Sequence, residues 1–299
     1  MLGRGTFGIV TKETLAGHDA PVACKSVKVN NDFMSREIEI TTLLLRNPHE
    51  NIVEFLKLES CKEVDRIYMT MCPTNLRSIL TRLASKNYRI KEVNAVRIVF
   101  GLSKALLHLK TLHIMHRDLK PENVLLTAEY CPLLCDFGSA KVKRDSNNVT
   151  YIVSRFYRAP ELLLERSYSY EIDVWSLGCV LGELCVGGPL FIGEDTVSQL
   201  VEIIRILGPP SKSDLQSMKG AEPLRIDLNF NVNVPKWTDV LTVRCGERVL
   251  KVSFGQAFED LLSKFLRYDP TKRIRLEDVV NHAWIKGLKT SQPKTAKKV

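Results

Sequence analysis

The sequence predicts an α+β protein with two lobes, a small β-rich lobe followed by a larger, mainly helical one. Two observations lead to this prediction. The short or alternating apolar patterns of strands crowd the first 70 or so residues, whereas apolar residues at helical spacing dominate from residue 76 onward. The change falls near residues 70–75, around Cys72 and Pro73.

Composition sets the broad class. The 299 residues suffice for two lobes with cores, and 44% hydrophobic with 26% charged residues excludes wholesale disorder. No apolar run approaches the roughly 20 residues of a membrane helix, and no secretory leader opens the chain. We therefore expect a soluble, cytoplasmic monomer, with the nucleus as a second compartment. The net charge of +9 favours anionic partners but does not by itself indicate nucleic-acid binding.

The eight cysteines do not form a metal or disulfide pattern. None belongs to a C-x-x-C pair, so we expect reduced thiols and no zinc site.

The individual elements follow from periodicity. In the small lobe the patterns predict a strand over 20–29, a helix over 33–45 and short apolar segments at 52–58 and 66–71. In the large lobe they predict helices over 76–83, 93–112, 174–185 and 196–207. Residues 209–256 are expected to form looped insertions, and residues 286–299 a frayed basic tail.

The first chemical motif is glycine-rich. Residues 3–10 fit G-x-G-x-x-G-x-V, and Lys25 lies in the strand that follows. A glycine hairpin lets backbone amides approach phosphates, and a strand lysine adds a positive charge. Alone the motif is weak, because dinucleotide-binding folds use similar glycines. In those folds a helix follows directly, whereas strand-like sequence follows here.

Three further motifs follow in order. His116-Arg117-Asp118-Leu-Lys120-Pro-Glu-Asn123 combines an acid, a base and an amide within eight residues. Asp136-Phe-Gly138 begins 18 residues after Asp118, and Ala159-Pro-Glu161 begins 23 residues after Asp136. Four motifs in this order and at these spacings make a chance match improbable.

Over essentially its whole length the chain resembles eukaryotic protein kinases. The resemblance implies a bilobal protein kinase fold with an N-lobe at 1–72, a C-lobe at 73–285 and the tail at 286–299, together forming one kinase domain. It also implies that ATP and Mg²⁺ bind in the cleft between the lobes and that protein serines or threonines are the substrates.

The resemblance further assigns roles to single residues. Asp118 orients the substrate hydroxyl and accepts its proton, while Lys120 steadies the γ-phosphate, as in serine/threonine kinases. Asn123 and Asp136 hold Mg²⁺, and Lys25 holds the α- and β-phosphates. The remaining nucleotide contacts fall on the glycine flap, the adenine pocket and the partner of Lys25: Gly3, Gly5, Phe7, Gly8, Val10, Ala23, Glu37, Met69, Thr70 and Cys72. Four residues are expected to be structural: His116, Phe137, Asp173, which braces the catalytic loop, and Glu161, which pairs with Arg273.

Within this family, residues 149–161 resemble the CMGC group, which holds the cyclin-dependent, mitogen-activated and glycogen synthase kinases. Within that group the stretches 134–141, around Tyr151 and 197–208 are most similar to glycogen synthase kinase 3. This resemblance places Arg36, Arg117 and Lys141 in the phosphate pocket of the family. Three converging cations repel one another, so a bound anion would stabilise the cluster. Val149 stands two residues before Tyr151 and cannot be phosphorylated. We therefore expect the phosphate to come from a substrate that is already phosphorylated four residues C-terminal to its target. The alternative is that Thr150 or a counter-ion fills the pocket.

Tyr151 matches the activating tyrosine of the glycogen synthase kinase 3 family, which implies that the kinase phosphorylates it itself.

Two departures from the family pattern stand out. Thr41, one turn after Glu37, occupies a position that is usually apolar, and residues 209–256 match poorly, which leaves binding of scaffold proteins to the C-lobe open. A pseudokinase or signalling scaffold is the main rival interpretation, although Lys25, Asp118, Asn123 and Asp136 are all present. A basic nucleic-acid binder is a third, but the basic regions lack interleaved aromatic residues.

Overall fold

The N-terminal part of the chain is an antiparallel sheet with one helix. The computed structural model describes residues 1–5, 8–28, 32–60, 64–143, 154–218, 233–245, 248–251 and 254–289. The strands of the sheet are β1 (Gly3–Gly5), β2 (Gly8–Glu13), β3 (Val22–Lys28), β4 (Phe55–Glu59) and β5 (Val64–Thr70). They lie in the order β1-β2-β3-β5-β4, and helix α1 (Asp32–Arg46) packs against β4.

The middle strand of this sheet presents a buried lysine. Lys25 on β3 lies opposite Val10 of β2 and Ile67 of β5, and only 7% of the residue is exposed. The hairpin above it requires glycine at position 8, because a Cβ atom on Gly8 would lie 2.3 Å from the carbonyl oxygen of Ser26. The backbones of β2 and β3 therefore approach closely over the lysine.

The larger part of the chain is mainly helical. Its helices are α2 (Leu76–Ala84), α3 (Glu92–Thr111), α4 (Pro160–Leu163), α5 (Glu171–Val186), α6 (Thr196–Leu207), α7 (Lys212–Ser217), α8 (Trp237–Val240), α9 (Gln256–Phe265), α10 (Leu276–Val279) and α11 (Ala283–Lys289). Its short strands are β6 (Thr74–Asn75), β7 (Ile114–Met115), β8 (Val124–Leu126), β9 (Pro132–Leu134), β10 (Lys141–Val142), β11 (Thr242–Cys245) and β12 (Arg248–Lys251). The pairings are β6-β8-β9, β7-β10 and β11-β12, all antiparallel.

Helix α5 is the centre of this lobe. It is buried on every face and mostly apolar, as expected for a helix surrounded by others, and it packs against α3 and α9. A Cβ atom on Gly178 would lie 2.6 Å from the Cβ of Phe265, so the glycine allows α9 to pack closely. This rigid centre supports the loops that carry the polar side chains.

The predicted α+β organisation is confirmed, and the helix predicted over 196–207 coincides with α6. Two predictions were wrong. Residues 209–256 are not simply looped, because α7, α8 and the hairpin of β11 and β12 lie within them. Residues 286–289 belong to α11 rather than to a frayed tail, since Trp284 anchors that helix between Phe254 and Phe258. Residues 290–299 of the predicted tail lie outside the described residues. Elements of four to seven residues carry too little periodicity to be recognised from sequence.

None of the described helices is both long enough and apolar enough to cross a membrane.

Candidate active site

An ion cluster joins the two parts of the chain. The Lys25 Nζ lies 2.6 Å from Glu37 Oε1 on α1 and 2.8 Å from Asp136 Oδ1. The side chains of Lys25 and Glu37 are 9% and 4% exposed, whereas that of Asp136 is 38% exposed. Lys25 and Glu37 are therefore shielded from solvent, whereas the Asp136 carboxylate is accessible.

The two carboxylates of this cluster respond differently to burial. Burial acts to raise the pKa of Asp136, but the Lys25 charge and hydrogen bond outweigh it and hold that pKa below its ordinary value. For Glu37 the effect of burial is larger than that of the Lys25 charge and hydrogen bond, so its pKa is raised. Burial lowers the pKa of Lys25, but both carboxylates overcome this and raise it, so the ammonium stays charged. The cluster thus presents a charged carboxylate, Asp136, to the cleft.

A cleft of about 460 Å³ lies beside this cluster. Nine of the predicted nucleotide contacts line it: Gly3, Gly8, Val10, Ala23, Lys25, Glu37, Met69, Thr70 and Cys72. Gly5 lies on β1 opposite Gly8, and Phe7 lies outside the described residues. Sequence reasoning missed Leu2, Phe55 and Leu125, which also line the cleft. These three are single apolar residues without a motif around them, so no sequence signal identified them.

The carboxylate of Asp118 is surrounded by donors. Its Oδ2 accepts from Lys120 Nζ at 2.7 Å and from Asn123 Nδ2 at 3.0 Å. Its Oδ1 accepts from the Ser154 backbone N at 3.1 Å and from Ser154 Oγ at 2.9 Å. Lys120 Nζ also donates to Ser154 Oγ at 2.7 Å. Ser154 was missed from sequence, because 36 residues separate it from Asp118.

A buried aspartate on α5 binds the backbone of the loop that carries Asp118. Both oxygens of Asp173 on α5 accept backbone hydrogen bonds, one from His116 N at 2.8 Å and one from Arg117 N at 2.9 Å. His116 Nε2 donates to the Cys135 carbonyl oxygen at 3.0 Å, which links this loop to the residue before Asp136. Asp173 therefore has the bracing contacts that the resemblance implied.

The predicted metal ligands lie on adjacent segments. The Cys135 backbone N donates to the Asn123 carbonyl oxygen at 3.0 Å, which fixes Asp136 beside Asn123. Because Asn123 Nδ2 donates to Asp118, its side-chain oxygen is turned away from that aspartate. A carboxylate and an amide oxygen are hard donors that suit Mg²⁺. No group of three or more His, Cys, Asp or Glu residues in the described ranges could hold a metal ion.

An apolar stack lies behind the ion cluster. The Phe137 ring lies 5.1 Å from the His116 ring and 5.9 Å from the Phe55 ring, edge to face in both contacts. Thr41 on α1 is fully buried, and within the described part of the chain its Oγ1 has no hydrogen-bond partner. The ring contacts are thus aromatic, whereas α1 buries, one turn after Glu37, a hydroxyl that is unpaired among the described residues.

Two of the three predicted phosphate-pocket residues lie on contacting elements, and the third, Arg117, lies in the loop after β7. Arg36 is half-buried on α1, and Lys141 is 2% exposed on β10, which packs against α1 and pairs with β7. Arg117, 1% exposed, donates from Nε to the Ser139 carbonyl oxygen at 2.7 Å and from Nη1 to Tyr168 Oη at 2.8 Å. Val149, Thr150 and Tyr151 lie outside the described residues.

Comparison with known proteins gives a consistent result. The protein kinase domain model matches residues 1–285. The chain is 35% identical over 294 residues to the probable serine/threonine-protein kinase glkA of Dictyostelium discoideum, covering 96% of this chain and 58% of that protein. It is 34% identical to the protein kinase gsk3 of Schizosaccharomyces pombe, covering 98% of this chain and 75% of the relative. It is also 34% identical to the glycogen synthase kinase 3 of Trypanosoma brucei brucei, with coverages of 96% and 82%.

Proposed function

Since the chain belongs to the glycogen synthase kinase 3 family of serine/threonine protein kinases, we propose that it transfers the γ-phosphoryl group of ATP to protein serines and threonines. The observation that supports this most directly is the contact of Lys25 with both Glu37 and Asp136. In that arrangement a cation and a charged carboxylate face the cleft together. The kinase domain is proposed to divide into lobes at 1–72 and 73–285.

Each residue has a defined task in this proposal. Lys25, fixed by Glu37, binds the α- and β-phosphates beneath the glycine hairpin. Asn123 and Asp136 hold Mg²⁺, which supplies positive charge to offset the charge that spreads over the transferred group. Asp118 accepts the proton of the incoming hydroxyl, and Lys120 lies beside it to meet the γ-phosphate.

The donors around Asp118 have a consequence for its role. Four hydrogen bonds converge on its two oxygens from Lys120, Asn123 and Ser154. Such bonds fix the direction of the carboxylate. Asp118 therefore acts mainly by orienting the hydroxyl, which agrees with a reaction that needs little covalent help.

Transfer of radiolabelled phosphate from ATP to a serine peptide tests the proposal. We expect incorporation that requires Mg²⁺ and is abolished by Asp136→Ala, which removes a proposed metal ligand. A folded wild-type chain that incorporates no label above the Asp136→Ala background would instead be a pseudokinase or scaffold.

A finer proposal concerns the substrate. Arg36 and Lys141 lie on α1 and β10, which contact each other, and Arg117 lies two residues after β7, the strand that pairs with β10. Arg117 and Lys141 are almost fully buried. We propose that these three residues bind a phosphate on the substrate four residues C-terminal to the target residue. Peptides with and without that phosphate, compared at equal concentration, test this. Equal kcat/KM for both peptides would contradict it.

Tyr151 is proposed to be phosphorylated by the kinase itself. Tyr151→Phe is expected to lower activity, and mass spectrometry of the wild-type chain, with Asp136→Ala as control, would locate the modification.

A further inference from the structure

One arginine beside the catalytic loop has three partners on three other segments. Arg77, on α2, donates from Nε to Glu122 Oε1 at 2.7 Å and from Nη2 to Tyr157 Oη at 2.6 Å. Its Nη1 donates to Glu183 Oε1 on α5. Tyr157 Oη in turn donates to Glu183 Oε2 at 2.6 Å. The guanidinium thus closes a network that joins α2, the catalytic loop, the segment before α4, and α5.

The network depends on the positive charge of Arg77. The Glu183 side chain is 0% exposed, and burial raises its pKa although Tyr157 and Arg77 act to lower it. The pKa of Arg77 is raised, because Glu122 and Glu183 outweigh the opposing effect of burial. Two carboxylates face one guanidinium, and without Arg77 these two carboxylates would lack their cation.

The network also borders the place where a substrate must bind. Arg77, Glu122 and Tyr157 line a cavity of about 520 Å³ that Lys120 and Ser154 line as well. Both Lys120 and Ser154 hydrogen-bond to Asp118. A peptide that presents its hydroxyl to Asp118 therefore runs along a wall containing Glu122 and Arg77.

We infer that Arg77 sets the charge preference of this peptide groove, because its guanidinium fills an acidic site that would otherwise bind a basic side chain of the substrate. The inference rests on the proposed phosphoryl transfer and concerns which peptides are accepted. With the site occupied from within, an arginine or lysine in the substrate gains nothing there. Removal of Arg77 uncovers Glu122 and Glu183, and the groove then selects a basic residue.

An arginine scan tests this directly. Primed serine peptides carry arginine in place of alanine at one position at a time on the N-terminal side of the serine. For the wild type we expect kcat/KM ratios of arginine to alanine peptides close to one at every position. For Arg77→Ala we expect a ratio of at least about tenfold at one position, the size that a hydrogen bond to a charged group provides. Arg82→Ala, an exposed arginine on the same helix, should keep the wild-type profile.

A second measurement needs no catalysis. Arg77→Ala should have a lower melting temperature than the wild type, and millimolar methylguanidinium should restore part of that loss by entering the vacated site. The same additive should not raise the melting temperature of the wild type or of Arg82→Ala. Because no phosphoryl transfer is involved, this result decides the inference even where the proposed activity fails.

A second variant guards against misfolding. In Arg77→Ala combined with Glu183→Gln, the buried charge is removed and Glu122 alone remains as the uncovered carboxylate, so a preference of at least about threefold for the arginine peptide should persist. A purely structural role for Arg77 predicts a lower melting temperature, a flat arginine scan in both variants and no effect of methylguanidinium. That combination would overturn the inference.

Discussion

Two of the buried ion pairs in the described part of the chain differ in how completely their charged atoms are hydrogen-bonded. Arg273 meets Glu161 with two parallel hydrogen bonds of 2.6 Å each, and the two side chains are 0% and 1% exposed. Arg273 also donates to the carbonyl oxygens of Arg267 and Glu171. Lys25 instead shares one ammonium between Glu37 and Asp136, and within the described residues Glu37 Oε2 has no hydrogen-bond partner.

This difference distinguishes an ion pair that stabilises the fold from one that can bind a ligand. The Arg273 pair uses a bidentate geometry with additional backbone contacts, so it has little left to offer a ligand. The expected pairing of Glu161 with Arg273 is confirmed, and its role is structural. The Lys25 cluster leaves one carboxylate open to the cleft, which is the property that binding phosphates and a metal ion requires.

The largest expected effect comes from breaking the complete pair. Glu161→Gln leaves the buried charge of Arg273 uncompensated, and we expect a loss of about 3–5 kcal/mol in the free energy of unfolding. Urea unfolding followed by fluorescence measures it. Asp278→Asn, which disturbs an exposed pair with Arg275, should leave the unfolding midpoint unchanged. An equally small change for Glu161→Gln would contradict a structural role.

The next effect is on activity. Lys25→Met should lower kcat/KM about 10²–10³-fold, because it removes a preorganised charge at the phosphates. The unfolding midpoint should change much less than in Glu161→Gln, since Glu37 already has a raised pKa and can take up a proton. Lys12→Met, an exposed lysine on β2, serves as the control. The comparison of the two ion pairs fails if Lys25→Met destabilises the protein as strongly as Glu161→Gln.

The comparison also indicates what sequence could predict. Lys25, Asp118 and Asp136 could be identified because each lies in or beside a short motif of distinctive residue types, and the resemblance to kinases added Glu37. The structure brings Lys25, Glu37 and Asp136 to one cleft. Arg77 and Ser154 lie in no such motif. Their partners are 34 to 106 residues away along the chain, so only the fold reveals them.

Local patterns also have a lower limit of length. The 12-residue helix α6 was predicted at its observed boundaries, whereas the four-residue strands β11 and β12 were taken for loop. A helix of three turns repeats its apolar spacing several times, but a four-residue strand shows barely two alternations. The roles of Tyr151 and of the phosphate pocket stay predictions.

A smaller effect on stability concerns α1, which carries two buried oxygen atoms without a hydrogen-bond partner in the described structure, Glu37 Oε2 and Thr41 Oγ1. Thr41 is buried with no partner for its hydroxyl in the described structure, whereas the adjacent Thr42 donates from Oγ1 to the Ile38 carbonyl oxygen at 2.8 Å. Thr41→Val should therefore raise the free energy of unfolding by about 1 kcal/mol, the lower end of the cost of burying an unpaired hydroxyl. Thr42→Val should bring no gain, and urea unfolding of both variants checks this. A gain in Thr42→Val alone would contradict the assignment.

The smallest effect concerns the contact between the segment after α1 and helix α3. The His49 and His108 rings stack at 4.9 Å, with His108 Nε2 2.9 Å from the Asn47 carbonyl oxygen. Burial, followed by the charges of His108 and Lys104, lowers the pKa of His49, with Glu50 opposing them. In the folded state His49 therefore binds a proton less readily than in the unfolded state, where its pKa is near 6.5. Stability contributed by neutral His49 is present above pH 6.5 and falls as the pH drops below that value, because the unfolded state then binds more protons.

His49→Asn should make the melting temperature less dependent on pH between 7 and 5, whereas His18→Asn, an exposed histidine, should leave the wild-type dependence intact. Identical pH profiles for His49→Asn and the wild type would show that this stacked pair does not contribute to the acid sensitivity of the fold.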